Sequence, residues 1–504
     1  MKKNIIIKGG LALASVLMIA SCDDFLTENP QSTYTTETFY TSESDFEYAV
    51  NALYQALNVV MDGPTSNPAA YSGGNAYGMF RWPSVRADEK SLYHGINFYD
   101  DGAATFKDGT QGATKDYIWQ YMYIMITRAN SILDRIDAFE FANSSKKNEL
   151  KGQTLALRGW AYHQLGIYFG GVPLITTEIS VDETLKIGRS SQAETFAQAI
   201  SDYKAGMALL PDRYTGSDYG RIGKMATAAF LGRLYLFMGD TSNAATYLKQ
   251  VIDSGLYSLA ETYVDCFSEA GEGNGERVFE LVYIPNVNGY GQGISESWVN
   301  EGYTRGDEDH IYAVRGSSHA MIVSGDYIAE FESGDARANE FKDGIVNTYG
   351  SDCPFCLKFS HYTETPTAGS YWGINIPLMR YADVILMYAE CVGQAQGEQY
   401  LNAVRARAGL GSWTDYSSDW TTALRHERKM EFGFEGLRWF DLVRWGIALD
   451  TMNAYHATQE GGANVTTGAV QNNMRAGQEL FAIPQTEIDL YDNATLMPQN
   501  PAYQ

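Results

Sequence analysis

Residues 221–238, RIGKMATAAFLGRLYLFM, followed by the turn Gly239-Asp240, decide the architecture. Within this run Ala228, Leu231, Gly232 and Tyr235 are answered after the turn by Ala244 and Leu248. Small residues at those offsets let two antiparallel helices approach closely.

The offsets reproduce the tetratricopeptide pattern, in which one repeat cannot bury its own faces and several must stack. Working outward, Phe46, Val50, Leu53, Leu57 and Val60 make a helical stripe, and so do Ile118, Met122, Met125, Ala129, Ile132 and Ile136. A helix over 150–168 ends at Phe169-Gly170-Gly171-Val172-Pro173, and another runs from about Glu194 to Leu210 before Pro211. Four helical pairs are expected: 117–168, 194–238 running into 243–254, 378–408, and 421–452. From about Tyr257 to Ile376, Gly, Ser, Asn and Asp punctuate short mixed runs such as Val278-Phe279-Glu280-Leu281-Val282-Tyr283, which reads as a loop-rich insertion with a few strands. The fold class is therefore mostly α, a helical-repeat scaffold of about four helix pairs with a loop-rich mixed insertion.

The 504 residues, 45% of them hydrophobic, are enough to bury a large core. Lys and Arg number 37 against 61 Asp and Glu, a net charge of −24 that repels phosphate backbones, so no nucleic-acid partner is expected. Lys2, Lys3 and Lys8 precede the apolar run Leu11 to Ala20, the pattern of a signal peptide over residues 1–21. Ile19-Ala20-Ser21-Cys22 resembles a lipobox, which makes Cys22 the acylated first residue of the mature chain and residues 22–40 a polar tail leading from a lipid anchor. Cys353-Pro354-Phe355-Cys356 has redox-motif spacing without a second pair or a histidine pair to complete a zinc site, leaving a local disulfide or two free thiols.

The carboxylates Glu427, Glu431, Glu435 and Asp441 are the set that a glycosidase reading would choose. Arg425, Arg428, Arg438 and Arg444 stand among them at helical spacings. Internal ion pairs locking a helical hairpin, with lowered carboxylate pKa values, are the expectation instead of a general acid. Seven histidines and the absence of H-E-x-x-H, G-x-S-x-G or a Gly-rich phosphate loop give no assembled active site and imply no metal and no cofactor.

Sugar binding makes a different demand, because a pyranose offers an apolar C–H face and a rim of hydroxyls, which call for flat rings beside short polar groups. The chain carries 35 Tyr, 22 Phe and 9 Trp. In residues 71–101 rings including Tyr71, Tyr77, Trp82, Tyr93, Phe98 and Tyr99 alternate with Arg81, Arg86, Asp88, Glu89, His94 and Asn97 without a helical stripe. In the insertion, Tyr290, Trp298, Asn300, Tyr303 and Arg305 form a second group, joined by Tyr371 and Trp372 between glycines and Ser370. Arg81, Trp82, Tyr93, Asn97, Trp298, Tyr303, Tyr371 and Trp372 are the candidate ligand contacts. Trp119, Trp160, Trp439 and Trp445 fall on apolar helix faces and read as core, while Trp413 and Trp420 sit in a connecting loop.

Several segments together resemble the SusD/RagB-type outer-membrane nutrient-binding lipoproteins. They are the lipobox leading into Cys22-Asp23-Asp24-Phe25-Leu26, Arg128-Ala129-Asn130-Ser131-Ile132-Leu133, Gly152 through Leu174, Arg221-Ile222-Gly223-Lys224, and Arg380 through Glu390. The most specific are Glu427 through Trp445 and the ending Asn500-Pro501-Ala502-Tyr503, with Ala where the family usually has Gly. The resemblance implies one domain over 41–504, with scaffold at about 41–60, 117–254 and 378–452 and binding loops at about 62–116 and 257–376. It further implies a lipid-anchored protein at the cell surface of the outer membrane that captures an oligosaccharide or polysaccharide and delivers it to a TonB-dependent transporter barrel. A peptide ligand, a surface glycoside hydrolase and a repeat scaffold without a ligand are the alternatives.

Overall fold

The computed structural model describes residues 39–62, 79, 81–91, 102–110, 113–285, 306–307, 310–311, 322–346, 352–362, 373–459, 474–491, 493 and 495–504. The chain forms two compact units, residues 1–47 and 48–504. In the first, α1 (Glu43–Asp62) begins with a reciprocal cap: the Ser42 N–H donates to Asp45 Oδ2 at 2.7 Å and the Asp45 N–H to Ser42 Oγ at 3.3 Å.

The second unit is built from helix pairs. α2 (Ala113–Ile136) and α4 (Gln192–Met207) both pack on α3 (Ser144–Phe169), which is therefore buried nearly all round from Leu150 onward. Its glycines set the spacing: a Cβ on Gly159 would lie 3.0 Å from the Ala199 carbonyl oxygen. Arg158 ties the three helices together, with a bidentate pair to Asp202 at 2.8 Å and a bond to Asn130 at 2.7 Å. α5 (Lys224–Phe237) and α6 (Thr241–Asp253) form the expected repeat, with Gly232 against Leu248 and Asp240 capping α6 through the Asn243 N–H at 3.0 Å.

The third pair is α7 (Tyr381–Val392) and α8 (Gln394–Arg407), whose Ile385, Leu386, Leu401 and Val404 share a core with Trp413 and Leu424. Residues 378–380, expected as helix, belong instead to a strand, because their backbone pairs with the insertion. The fourth region is not one hairpin but three pieces: α9 (Trp420–Glu431), α10 (Arg438–Arg444) and α11 (Ala448–Gln459). The break after α9 carries Phe434 at φ +63° and Gly436 at φ +73°. Side chains from elsewhere hold it open: Lys358 donates to the Gly433 carbonyl at 2.6 Å, and the Phe434 N–H donates to Glu89 at 3.0 Å.

Three two-stranded antiparallel ribbons complete the described structure. β1 (Arg277–Leu281) pairs with β6 (Ile376–Arg380), β2 (Gly306–Asp307) with β3 (His310–Ile311), and β4 (Phe341–Val346) with β5 (Asp352–Cys356). Cys356 is a buried free thiol. The disulfide alternative for Cys353 and Cys356 thus fails. Trp119, Trp160 and Trp439 are buried as expected. Trp445 is only half-buried, between Arg425 and Arg444, and its Nε1–H donates to Glu390 at 2.9 Å. Trp413 and Trp420 start helical turns and meet edge to face at 5.5 Å. Among the described residues no helix is long and apolar enough to cross a membrane.

Candidate functional site

Residues 81–91 are the first surprise. Apart from the single turn Trp82–Val85 they have little regular structure, yet every one of them is buried. Trp82 is 2% exposed and packs on Phe481 at 5.7 Å with the Lys115 ammonium 5.9 Å from its ring. Arg81 is 5% exposed. Neither offers a face to solvent, so their reading as open ligand contacts is corrected: the polar residues beside Trp82 stay inside because each meets a partner.

Arg86 lies among the rings of Phe106, Trp439 and Phe481 at 4.4–5.0 Å and pairs with Asp108 at 2.9 Å. Asp88 accepts from Arg438 at 2.8 Å and stands 3.0 Å from the Lys429 ammonium. Burial alone would raise its pKa, but these two cations hold it well below the usual carboxylate range. Glu89 has no such pairing. It accepts from the Phe434 N–H through one oxygen while the other is sealed without a partner, and burial pushes its carboxyl up to about 7. The end of the strap is pinned by the Ser91 N–H to the Ile322 carbonyl and the Ser324 N–H to the Glu89 carbonyl, both 2.8 Å. Tyr93 and Asn97 follow directly, outside the described residues.

The insertion is rooted differently. In the β1–β6 ribbon Leu281 pairs with Ile376, and the Tyr283 N–H donates to Asn375 Oδ1 at 3.0 Å. A Cβ on Gly373 would fall 2.7 Å from the Pro285 ring. The ribbon thus brings the departure point of the stretch holding Trp298 and Tyr303 against the return point of the stretch holding Tyr371 and Trp372. Those four side chains lie outside the described residues.

A buried charged lock supports the ribbon. Arg380, the last residue of β6, pairs with Glu276 at 2.6 Å, Glu431 at 2.8 Å and Glu435 at 2.8 Å. Arg407 reaches Glu276 at 2.9 Å and also Glu431, Arg337 takes Glu427 at 2.5 Å, and Lys358 takes Glu435 at 3.0 Å. Asp441 accepts from Arg428 at 2.8 Å and Arg444 at 2.9 Å. All four carboxylates of the tempting catalytic set are therefore engaged by cations. The lock that the sequence suggested is real, but most of its cations come from the insertion, β6 and α8, not from neighbours along α9. The lowered-pKa expectation holds for Glu431, where Arg407, Arg380 and Arg337 overcome burial, and fails for Glu427, where burial outweighs Arg337 and raises it. Spacing could not have found Arg337, Lys358 or Arg380, since no periodicity links them to α9. Among the described residues no cluster of His, Cys, Asp and Glu is suited to a metal. Cys22 also lies outside the described residues.

Two family models match the chain, one described as starch-binding associating with outer membrane over residues 24–236 and one described as SusD family over 294–503. SusD-like protein P25 of Formosa agariphila is 24% identical, with 86% of this chain and 88% of that protein covered. A SusD-like protein of Bacteroides ovatus is also 24% identical, over 86% of this chain and 81% of its own. Among solved structures, a laminarin binding SusD-like protein superposes with a TM-score of 0.74 at 22% identity, covering 92% of this chain and all of that one. Surface glycan-binding protein A from Bacteroides thetaiotaomicron in complex with laminarihexaose gives 0.73 at 21% identity, covering 91% and 99%.

Proposed function

The chain belongs to the SusD family, and from that premise we propose that it captures a glycan at the outer-membrane surface and passes it to a partner transporter without acting on it chemically. The observation that supports this reading is the β1–β6 ribbon with its Gly373–Pro285 approach, which sets the residue before one ring-bearing stretch beside the residue after another. Rings held that way stack on the apolar faces of sugars while Asn300, Arg305 and Ser370 nearby in sequence serve the hydroxyls. Trp298, Tyr303, Tyr371 and Trp372 are the proposed platform, with Tyr93 and Asn97 as a second group delivered by the strap. Similarity to proteins named for laminarin and glycan binding supports the ligand class.

Cys22 is the proposed lipid anchor, and a TonB-dependent barrel the proposed recipient. Engagement of Glu427, Glu431, Glu435 and Asp441 by buried cations favours a binder over a hydrolase. Migration of the purified chain in native gels cast with soluble polysaccharides tests this. Retardation by at least one glycan with no release of reducing sugar is expected; sustained release, or unretarded migration across the whole panel together with peptide binding, contradicts it.

A further inference from the structure

The two residues that turn the chain between α9 and α10 both have positive φ, +63° at Phe434 and +73° at Gly436. An L-residue such as Phe434 adopts that region at a cost and keeps it only where its surroundings over-determine it. Here the strap does so. The Phe434 N–H donates to Glu89 Oε2 at 3.0 Å and the Gly436 N–H to Ser84 Oγ at 3.2 Å. The strap backbone is itself fixed at this point, where the Glu89 carbonyl accepts from the Ser324 N–H at 2.8 Å.

The two grips differ in kind, because a carboxyl titrates and a serine hydroxyl does not. Glu89 is fully buried, and its Oε1 is sealed from solvent without a partner. The cations around it are committed elsewhere. Lys358, just past β5, has three N–H groups, and they go to the carbonyls of Glu431 and Gly433 and to the Glu435 carboxylate. Arg438 on α10 forks onto Asp88 at 2.8 and 2.9 Å. Lys90, next along the strap, donates to the Ser91 carbonyl at 3.4 Å. Also facing Glu89 are Asp88 beside it, Tyr327 in the short helix Gly325–Ala329 and Cys356 at the end of β5. None of these three is a cation, and burial pushes the Tyr327 hydroxyl and the Cys356 thiol up, so both stay neutral. A bare carboxylate in such a place is costly, whereas a protonated carboxyl is tolerated. Burial accordingly raises Glu89 to about 7, against the pull of the Phe434 N–H and the Ser84 hydroxyl.

We propose that Glu89 is a proton-operated latch between the strap and the break after α9. Protonated, it stays inside and holds the Phe434 N–H; ionised, it moves out to water, and residues 84–91 and 433–436 open together while the helix pairs stay folded. The device does not depend on which ligand the loops take.

The sign follows from where the proton sits. In the open state Glu89 titrates near ~4.3, as an exposed glutamate does. Between that pH and about 7 the closed latch therefore holds one proton more than the open one. Opening becomes up to ~10-fold more favourable per pH unit across this window and levels off above it.

Hydrogen exchange of the full-length chain at pH 5, 6, 7 and 8, read by mass spectrometry on peptides covering 82–91 and 432–437 and expressed as protection factors, tests the latch. Protection in both segments falls together, by up to ~10-fold per unit as far as pH 7 and no further, while the α5–α6 repeat is unchanged. Glu89→Gln cannot titrate and shows no slope. Ser84→Ala, which removes the grip that does not titrate, lowers protection at 432–437 and keeps the slope. Protection that stays flat with pH in the unmodified chain overturns the proposal, whether or not either variant folds. So does an equal slope in Glu89→Gln, or a slope shared by the α5–α6 repeat.

Discussion

The strap at 81–91 and the β1–β6 ribbon both lead into ring-rich stretches of sequence, and they are themselves fixed by opposite means. The strap is irregular backbone sunk in the interior and fixed by charge: Arg86 on Asp108, Asp88 on Arg438 and Lys429. The ribbon is regular backbone fixed by strand pairing, with Arg380 anchoring its end in the lock. The difference teaches that rings interleaved with charges do not by themselves mark a binding surface. What matters is whether charges find partners inside, and in the strap Arg86 and Asp88 do, which makes Trp82 a structural residue.

The largest effect is expected from removing the centre of the charged lock that anchors the ribbon. Arg380→Met leaves Glu276, Glu431 and Glu435 short of a cation, and denaturant unfolding should show a loss of ~3–5 kcal/mol or no folded protein at all. Trp82→Ala comes next. It should cost ~3–5 kcal/mol of stability through the cavity it leaves, while glycan affinity per folded molecule stays the same. Loss of affinity without loss of stability would erase the contrast between strap and ribbon.

Gly373→Ala probes the ribbon alone. The added methyl meets the Pro285 ring, so ~1–3 kcal/mol of stability is lost and binding weakens with it, whereas the strap is untouched. Smallest is the pH response of Glu89. In the folded chain it keeps its proton to about pH 7, while an unfolded glutamate releases it near ~4.3. Across that window the native state carries the extra proton, so its contribution to stability falls as pH rises, by at most ~1.4 kcal/mol per unit. Thermal melts from pH 5 to 8 should show a shallower decline for Glu89→Gln than for the parent.

The helix pairs were legible because their signals are local. Apolar stripes fixed α2 and α3, and the small residues around Gly232 fixed the contact of α5 with α6. The lock was legible only in part: Glu427 and Glu431 stood visibly among arginines, but Arg337, Lys358 and Arg380 reach them from 51 to 94 positions away in the chain, where no spacing rule operates. Trp82 was misread for the same reason. Its neighbours' partners, Asp108, Arg438 and Phe434, lie far along the chain, so a buried strap resembled a polar loop. The break at Phe434 was hidden because the side chains that hold it, Lys358 and Glu89, belong to other segments.

The central claim, that loop-borne rings rooted on the ribbon take up a glycan, is tested most directly by calorimetry with a polysaccharide that retards the chain. Parent, Trp82→Ala and the double variant Trp298→Ala, Trp372→Ala are compared at equal folded concentration. The account predicts that the double variant loses at least ~10-fold in affinity, with stability within about 0.5 kcal/mol of the parent, while Trp82→Ala binds like the parent. Full affinity in the double variant would contradict it.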